Sequence, residues 1–122
     1  MVMERFDPIG VKCIVDRRRE VSDILAIASL CGKSAYYVYM VLGSRGDQVA
    51  KEWWSKLEPS AKCVLETRWR NKTLRETARE CGVSVNTVRR IIKRFGDPYI
   101  DAYWYDAAVE DEVIEPYLDE EW

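Results

Sequence analysis

The stretch ECGVSVNTVRRI, residues 80–91, decides the fold. Gly82 ends the predicted helix LRETAREC, because glycine readily adopts the left-handed conformation that closes helices. Ser84 is a good N-cap for the next helix, VNTVRRIIKRF, in which apolar residues recur at helical spacing. The stretch therefore predicts two short helices joined by a tight turn.

A related stretch, LCGKSAYYVYMV, occupies residues 30–41. When the chain is aligned with itself at an offset of 50 residues, 11 of the 43 positions from 12 to 54 are identical, and no insertion is needed. The identities pair Cys13 with Cys63 and Cys31 with Cys81. A period of this length indicates two copies of one supersecondary unit. We therefore predict a tandem repeat.

The helix signals of both copies predict an all-α protein of roughly eight helices, about four in each repeat. Thr73 with Glu76 has the pattern of a capping box, and Pro59 suits the first turn of a helix. A unit of about 50 residues is marginally stable alone, so the two copies should share a core. The predicted helices cover residues 11–19, 24–31, 35–42 and 48–57 in the first copy, and begin near 59, 74, 85 and 98 in the second. The predicted divisions are residues 1–57, a first repeat with a linking helix; 58–97, a second, basic repeat; and 98–122, an acidic aromatic helix or tail.

The net charge of −2 conceals a strong asymmetry along the chain. Residues 60–96 carry 10 basic and 3 acidic side chains, whereas residues 97–122 carry 10 acidic and no basic ones. A basic block of this kind is typical of a surface that binds nucleic acid. The acidic end suits a helix with a solvated face. Alternatively, it could mask the basic surface or contact RNA polymerase.

The four cysteines form no CxxC pair and the chain has no histidine, which argues against a zinc site. We expect reduced, buried thiols rather than a metal site or disulfides. No cofactor and no small-molecule ligand are predicted. The apolar runs are too short for a membrane span, and the start MVMERFDPIG has no signal-peptide pattern, so we expect a cytoplasmic, nucleoid-associated protein.

The second copy resembles the helix-turn-helix (HTH) domains of bacterial sigma factors and response regulators, and the HTH segments of resolvases and transposases. The resemblance covers about residues 57–96, a third of the chain. The matching residues are Ala78, Gly82, Val83, Ser84, Thr87, Val88 and Ile91. The resemblance to HTH domains implies that the helix of residues 85–95 enters the major groove of DNA.

Candidate DNA contacts follow from side-chain chemistry, since arginine pairs well with guanine and asparagine with adenine. The predicted base-reading residues are Ser84, Asn86, Thr87, Arg89, Arg90 and Lys93, with Asn86 and Arg89 the strongest candidates. The predicted phosphate-binding residues are Arg68, Arg70, Lys72, Thr73, Arg75 and Arg94.

The first copy replaces the reading residues by aromatic and apolar ones. Its equivalent face contains Lys33, Ser34, Tyr36, Tyr37, Tyr39 and Met40. This part of the chain also resembles the HTH of phage-repressor-type regulators. Three interpretations follow: a second DNA half-site about 34 Å from the first, a face for a protein partner or second copy, or tyrosines that pack against the other repeat.

The leading functional prediction is a sequence-specific double-stranded DNA-binding protein that regulates transcription, of the size of a phage or mobile-element regulator. One alternative is an adaptor that binds a protein such as polymerase through the tyrosine face and the acidic end. Another is a DNA-targeting module derived from a transposase or recombinase. We expect no enzymatic activity, because the sequence shows no catalytic constellation.

Overall fold

The structure, a computed structural model, describes residues 6–101, and within them it is all-helical. Asp7, Asp23, Ser34, Asp47, Thr73 and Ser84 each place a side-chain oxygen on a free backbone N–H at a helix start. The seven helices are α1 (Pro8–Arg18), α2 (Ile24–Cys31), α3 (Ala35–Ser44), α4 (Gln48–Ser55), α5 (Pro59–Trp69), α6 (Leu74–Cys81) and α7 (Val85–Phe95). Residues 98–101 are also helical. The predicted acidic helix or tail otherwise lies outside the described residues.

The predicted all-α class is confirmed, and the sequence signals placed several helices to the residue. The bounds of α2, α6 and α7 are those predicted. Helix α1 begins earlier than expected, at Pro8, because the Asp7 carboxylate accepts a hydrogen bond from the Gly10 N–H. Helix α3 ends two residues later and α4 two residues earlier than expected.

Corresponding features in the two halves lie 50 residues apart. Helices α2 and α6 have the same length, and each ends at a glycine with φ of +67°, Gly32 and Gly82. An arginine–aspartate pair also recurs, joining Arg18 to Asp47 and Arg68 to Asp97. In each half, the same type of ion pair therefore connects the end of the first helix to the aspartate that precedes the fourth.

The cysteines are not reduced, and that prediction is wrong. Disulfides join Cys13 to Cys31 and Cys63 to Cys81, with Cα–Cα distances of 5.9 and 5.7 Å. Each bond connects the first helix of its half to the end of the second. The two cysteines of each pair are 18 residues apart in the sequence. They come within bonding distance only when the two helices pack together, so the sequence spacing does not predict the bond.

The main hydrophobic core includes residues from both halves. Ile14, Ile27 and Tyr37 of the first half lie in one cluster with Leu65 and Phe95 of the second. A smaller cluster fills the second half alone, and it consists of Val64, Leu74, Ala78, Val88 and Ile92. The halves also meet at a tight junction, since a Cβ added to Gly96 would lie 2.7 Å from the Ser34 Cα.

Within residues 6–101, no single helix has the length and apolar composition of a membrane span. Only the consecutive pair α2 and α3 reaches that composition together, and the pair is bent by 109°.

Candidate nucleic-acid interface

Helix α7 is held by its inner face and its first turn. On the inner face of α7, Val88, Ile92 and Phe95 are buried. The Ser84 hydroxyl oxygen accepts a hydrogen bond of 3.1 Å from the Thr87 backbone N–H, which fixes the start of the helix. The opposite face of α7 is therefore directed to solvent.

That outer face carries the six residues predicted to read bases. Ser84, Asn86, Arg90 and Lys93 are exposed, and Thr87 and Arg89 are partly buried. Two weak contacts arrange the arginines along the helix. Arg89 donates to the Asn86 side-chain oxygen at 3.4 Å, and Arg90 donates to the Thr87 hydroxyl at 3.0 Å. The face thus presents two guanidinium groups and one amide at adjacent turns of α7.

The start of α6 lies beside the end of α5 and forms a capping box. The Thr73 hydroxyl accepts from the Glu76 N–H at 3.1 Å, and the Glu76 carboxylate accepts from the Thr73 N–H at 3.0 Å. The Thr73 N–H, more than any other contact, keeps the pKa of Glu76 below its ordinary value. Thr73 is therefore occupied in capping, although its hydroxyl proton can still be donated.

The other predicted phosphate-binding residues differ in exposure. Arg70 and Arg75 are exposed, as is Arg94 on α7, and Lys72 is partly buried. Arg70 donates to the Glu80 carboxylate at 3.1 Å, an exposed ion pair that contributes little to stability and that DNA could displace.

Arg68 does not fit its predicted role, because its side chain is fully buried. It makes a two-point ion pair with Asp97, at 3.1 Å from Nε and 2.7 Å from Nη2, and donates to the Lys72 carbonyl at 2.9 Å. Its guanidinium also lies 4.3 Å from the centre of the Tyr99 ring. Arg68 is thus a structural residue, and a phosphate cannot reach it. In the self-alignment Arg18 corresponds to Arg68 and Asp47 to Asp97, but only the structure shows that each arginine pairs with its aspartate.

Half of the residues in the predicted second face of the first half are buried, and the other three are partly buried. Ser34, Tyr36 and Tyr37 are buried, and burial raises the pKa of the Tyr36 phenol to about 12. The Tyr37 hydroxyl accepts from the Asp7 backbone N–H at 3.0 Å, and Asp7 also binds Lys33 at 2.9 Å. Tyr37 and Lys33 thus connect α3 to the start of α1 through Asp7. The buried Ser34, Tyr36 and Tyr37 cannot enter a DNA groove.

Aromatic side chains cover the helix that corresponds to α7. Tyr39 stacks on Trp54 with ring centres 4.6 Å apart, and Tyr36 lies between Trp54 at 5.4 Å and Trp69 at 6.2 Å. Met40 is partly buried against the same core. Tyr36 and Tyr37 pack against Trp69 of the other half, as the third interpretation predicts, whereas Tyr39 packs on Trp53 and Trp54 within its own half. The interpretations as a DNA half-site or a partner face are wrong for Ser34, Tyr36 and Tyr37.

A comparison with known protein families finds a match within the basic half. Residues 62–98 match the model of the homeodomain-like domain, an HTH family. This range contains α6, α7 and most of α5. No curated protein and no solved structure matches the chain. Residues 62–98 are therefore similar to a homeodomain-like helix-turn-helix domain, and their three helices have that arrangement.

Proposed function

We propose that the protein binds double-stranded DNA sequence-specifically through α7 and regulates transcription. The observation that carries this proposal is the outer face of α7, where Asn86, Arg89 and Arg90 lie on the recognition helix of an HTH domain. Arg89 and Asn86 would contact base edges in the major groove, with Ser84, Thr87, Arg90 and Lys93 around them. Arg70, Lys72, Thr73, Arg75 and Arg94 would bind backbone phosphates on either side.

We infer that the two halves are tandem copies in which only the second retained the reading function. Caps, disulfides and arginine–aspartate pairs at a constant offset support this inference, and so does the loss of charged residues from α3. The divisions at residues 1–57, 58–97 and 98–122 remain part of this proposal. The first half would then serve as a rigid support that shares its core with the reading half.

The absence of enzymatic activity and the location in the cytoplasm beside the nucleoid stay predictions. Contact with RNA polymerase or with a second copy stays a prediction, as does an origin as a phage or mobile-element regulator. The adaptor alternative loses support, because Tyr36 and Tyr37 of the tyrosine face on which it relied are buried.

Charge reversal on α7 tests the proposal. Arg89→Glu with Arg90→Glu should abolish binding to a mixed-sequence duplex, measured by fluorescence anisotropy over a range of salt concentrations. The matched control is Arg17→Glu with Arg19→Glu, two exposed arginines at the end of the first half's helix α1. The control should bind as the unmodified chain does.

Sequence specificity needs a separate readout. Selection from a random duplex library should enrich one motif with the unmodified chain, and Arg89→Ala should relax the preference at one position. An unmodified chain that binds no duplex at low salt would refute the DNA-binding proposal. Binding without an enriched motif would refute only its sequence-specific part.

A further inference from the structure

A groove lies beside α7, and the DNA contacts proposed above give it no ligand. It has a volume of about 540 Å³ and lies between the α4–α5 connection and α7. Leu57, Ala61 and Ile91 supply its apolar lining. A cavity of this size readily accommodates a phosphodiester group.

The rim of the groove is basic. Lys56, Arg90 and Arg94 line it, and among the lining residues from the described part of the chain Glu58 is the single acidic one. Lys56 and Arg94 are exposed, and neither forms an ion pair within residues 6–101. Positive charge held at a concave surface with apolar walls attracts anions more strongly than the same charge on a flat surface.

The groove is continuous with the proposed DNA face. Thr87 and Arg90 belong to both, and Arg90 donates a hydrogen bond to the Thr87 hydroxyl at 3.0 Å. Arg94, which also lines the groove, lies four residues after Arg90 and therefore one turn further along the same face of α7. A duplex seated on α7 would therefore bring its backbone to the mouth of this groove.

The first turn of α5 also faces the groove through Ser60. The N-cap Glu58 makes no side-chain hydrogen bond to this turn, and the first backbone bond of the helix joins the Lys62 N–H to the Glu58 carbonyl. The Ser60 hydroxyl can donate to an anion bound between Lys56 and Arg94. The Ser60 hydroxyl and the first turn of α5 thus supplement Lys56 and Arg94, which supply the positive charge of the groove.

We propose that this groove holds a backbone phosphate of the duplex that α7 reads, with Lys56 and Arg94 as its cationic ligands. The proposal rests on the proposed function and extends the DNA footprint beyond the HTH domain, to the segment that precedes α5. Lys56 lies outside residues 62–98, so the family match alone does not include it.

The test is the salt dependence of DNA binding by the full chain carrying Lys56→Gln and Arg94→Gln. Each lost phosphate contact should make the slope of log K against log salt shallower by about 0.9. Affinity near 0.1 M salt should fall roughly five- to ten-fold, and by the same factor for every duplex sequence. The matched control, Arg45→Gln with Lys51→Gln, removes two exposed charges that do not line the groove and should leave the slope unchanged.

Thermal unfolding of both variants shows whether a lower affinity reflects a damaged fold. A Lys56/Arg94 variant that is folded and has the control's slope overturns the proposal. Tighter binding by that variant also overturns it, and would indicate that the acidic segment 102–122 occupies the groove instead. Failure of the proposed function is distinct, because the unmodified chain would then show no DNA binding at all.

Discussion

At the scale of single residues, burial separates side chains that look alike in the sequence. Arg68 and Arg75 both belong to the basic block, yet Arg68 is fully buried against Asp97 and Arg75 is exposed. Removing one partner of such a buried pair typically costs about 3–5 kcal/mol. Sequence chemistry found the basic surface but could not assign Arg68, since its partner lies 29 residues away.

Asp101 gives the first stability prediction. Its carboxylate is buried at the start of α3, where it accepts the Ser34 N–H at 3.1 Å. Burial raises its pKa to about 6; the Ser34 hydrogen bonds and Lys33 oppose this rise, and Asp97 adds to it. The unfolded chain ionises near pH 4 and the folded chain only near pH 6, so stability should fall by about 2–3 kcal/mol as the pH rises between these values.

Asp101→Asn checks this prediction, because the amide oxygen can still accept from Ser34. The difference in unfolding free energy between Asp101→Asn and the unmodified chain should change across pH 4–6 and stay constant above. Glu52→Gln, an exposed change on α4, serves as the control. A pH profile of Asp101→Asn parallel to that of the unmodified chain would show that Asp101 titrates normally.

At the scale of helices, local signals were sufficient where caps are complete. Helices α6 and α7 were placed to the residue, because the capping box, Gly82 and Ser84 each act over three or four residues. The disulfides were missed for the opposite reason, since they depend on how α1 packs on α2 and α5 on α6. Cysteine spacing along the chain carries no information about that packing.

The disulfide between α5 and α6 should matter more for DNA binding than the one between α1 and α2. Closing a loop of this length stabilises a protein by about 3 kcal/mol through the entropy of the unfolded chain. The second half has a small core of its own, whereas α1 and α2 belong to the larger shared cluster. Cys63→Ala with Cys81→Ala should therefore weaken DNA binding, in addition to lowering stability.

Urea unfolding and anisotropy of the two double variants measure these effects. Cys13→Ala with Cys31→Ala should lose similar stability but bind DNA normally while folded. Equal binding by both variants under conditions where both are folded would contradict the prediction. In reductant, the unmodified chain should lose about as much unfolding free energy as the two double variants lose together.

At the scale of the whole molecule, aromatic rings join the halves. Trp69 of α5 lies 6.2 Å from Tyr36 and 6.1 Å from both Tyr37 and Phe6, all three in the first half. The sequence predicted that the two copies share a core. It could not show that the tyrosines of α3 would be covered, because an aromatic residue suits an exposed interface as well as a core.

Trp69→Ala should separate the unfolding of the two halves. The change removes a large, partly buried ring from their contact and should cost up to about 3 kcal/mol. Thermal unfolding followed by near-UV circular dichroism should broaden or split into two steps. Tyr39→Ala is the comparison, since its ring contacts Trp53 and Trp54 within the first half, and it should leave a single transition. A single sharp transition in Trp69→Ala would show that the other shared contacts suffice.

The recurrence of the disulfides also bears on history. If the halves are duplicates, as we infer, then features common to both were present in one ancestral unit before it was copied. That ancestor had the cysteine bridge, the arginine–aspartate clasp and the serine-capped third helix. The aromatic covering of α3 and the basic face of α7 differ between the halves, so they arose or diverged afterwards. Descendants of the unduplicated ancestor should then be single-HTH proteins with a cysteine pair 18 residues apart.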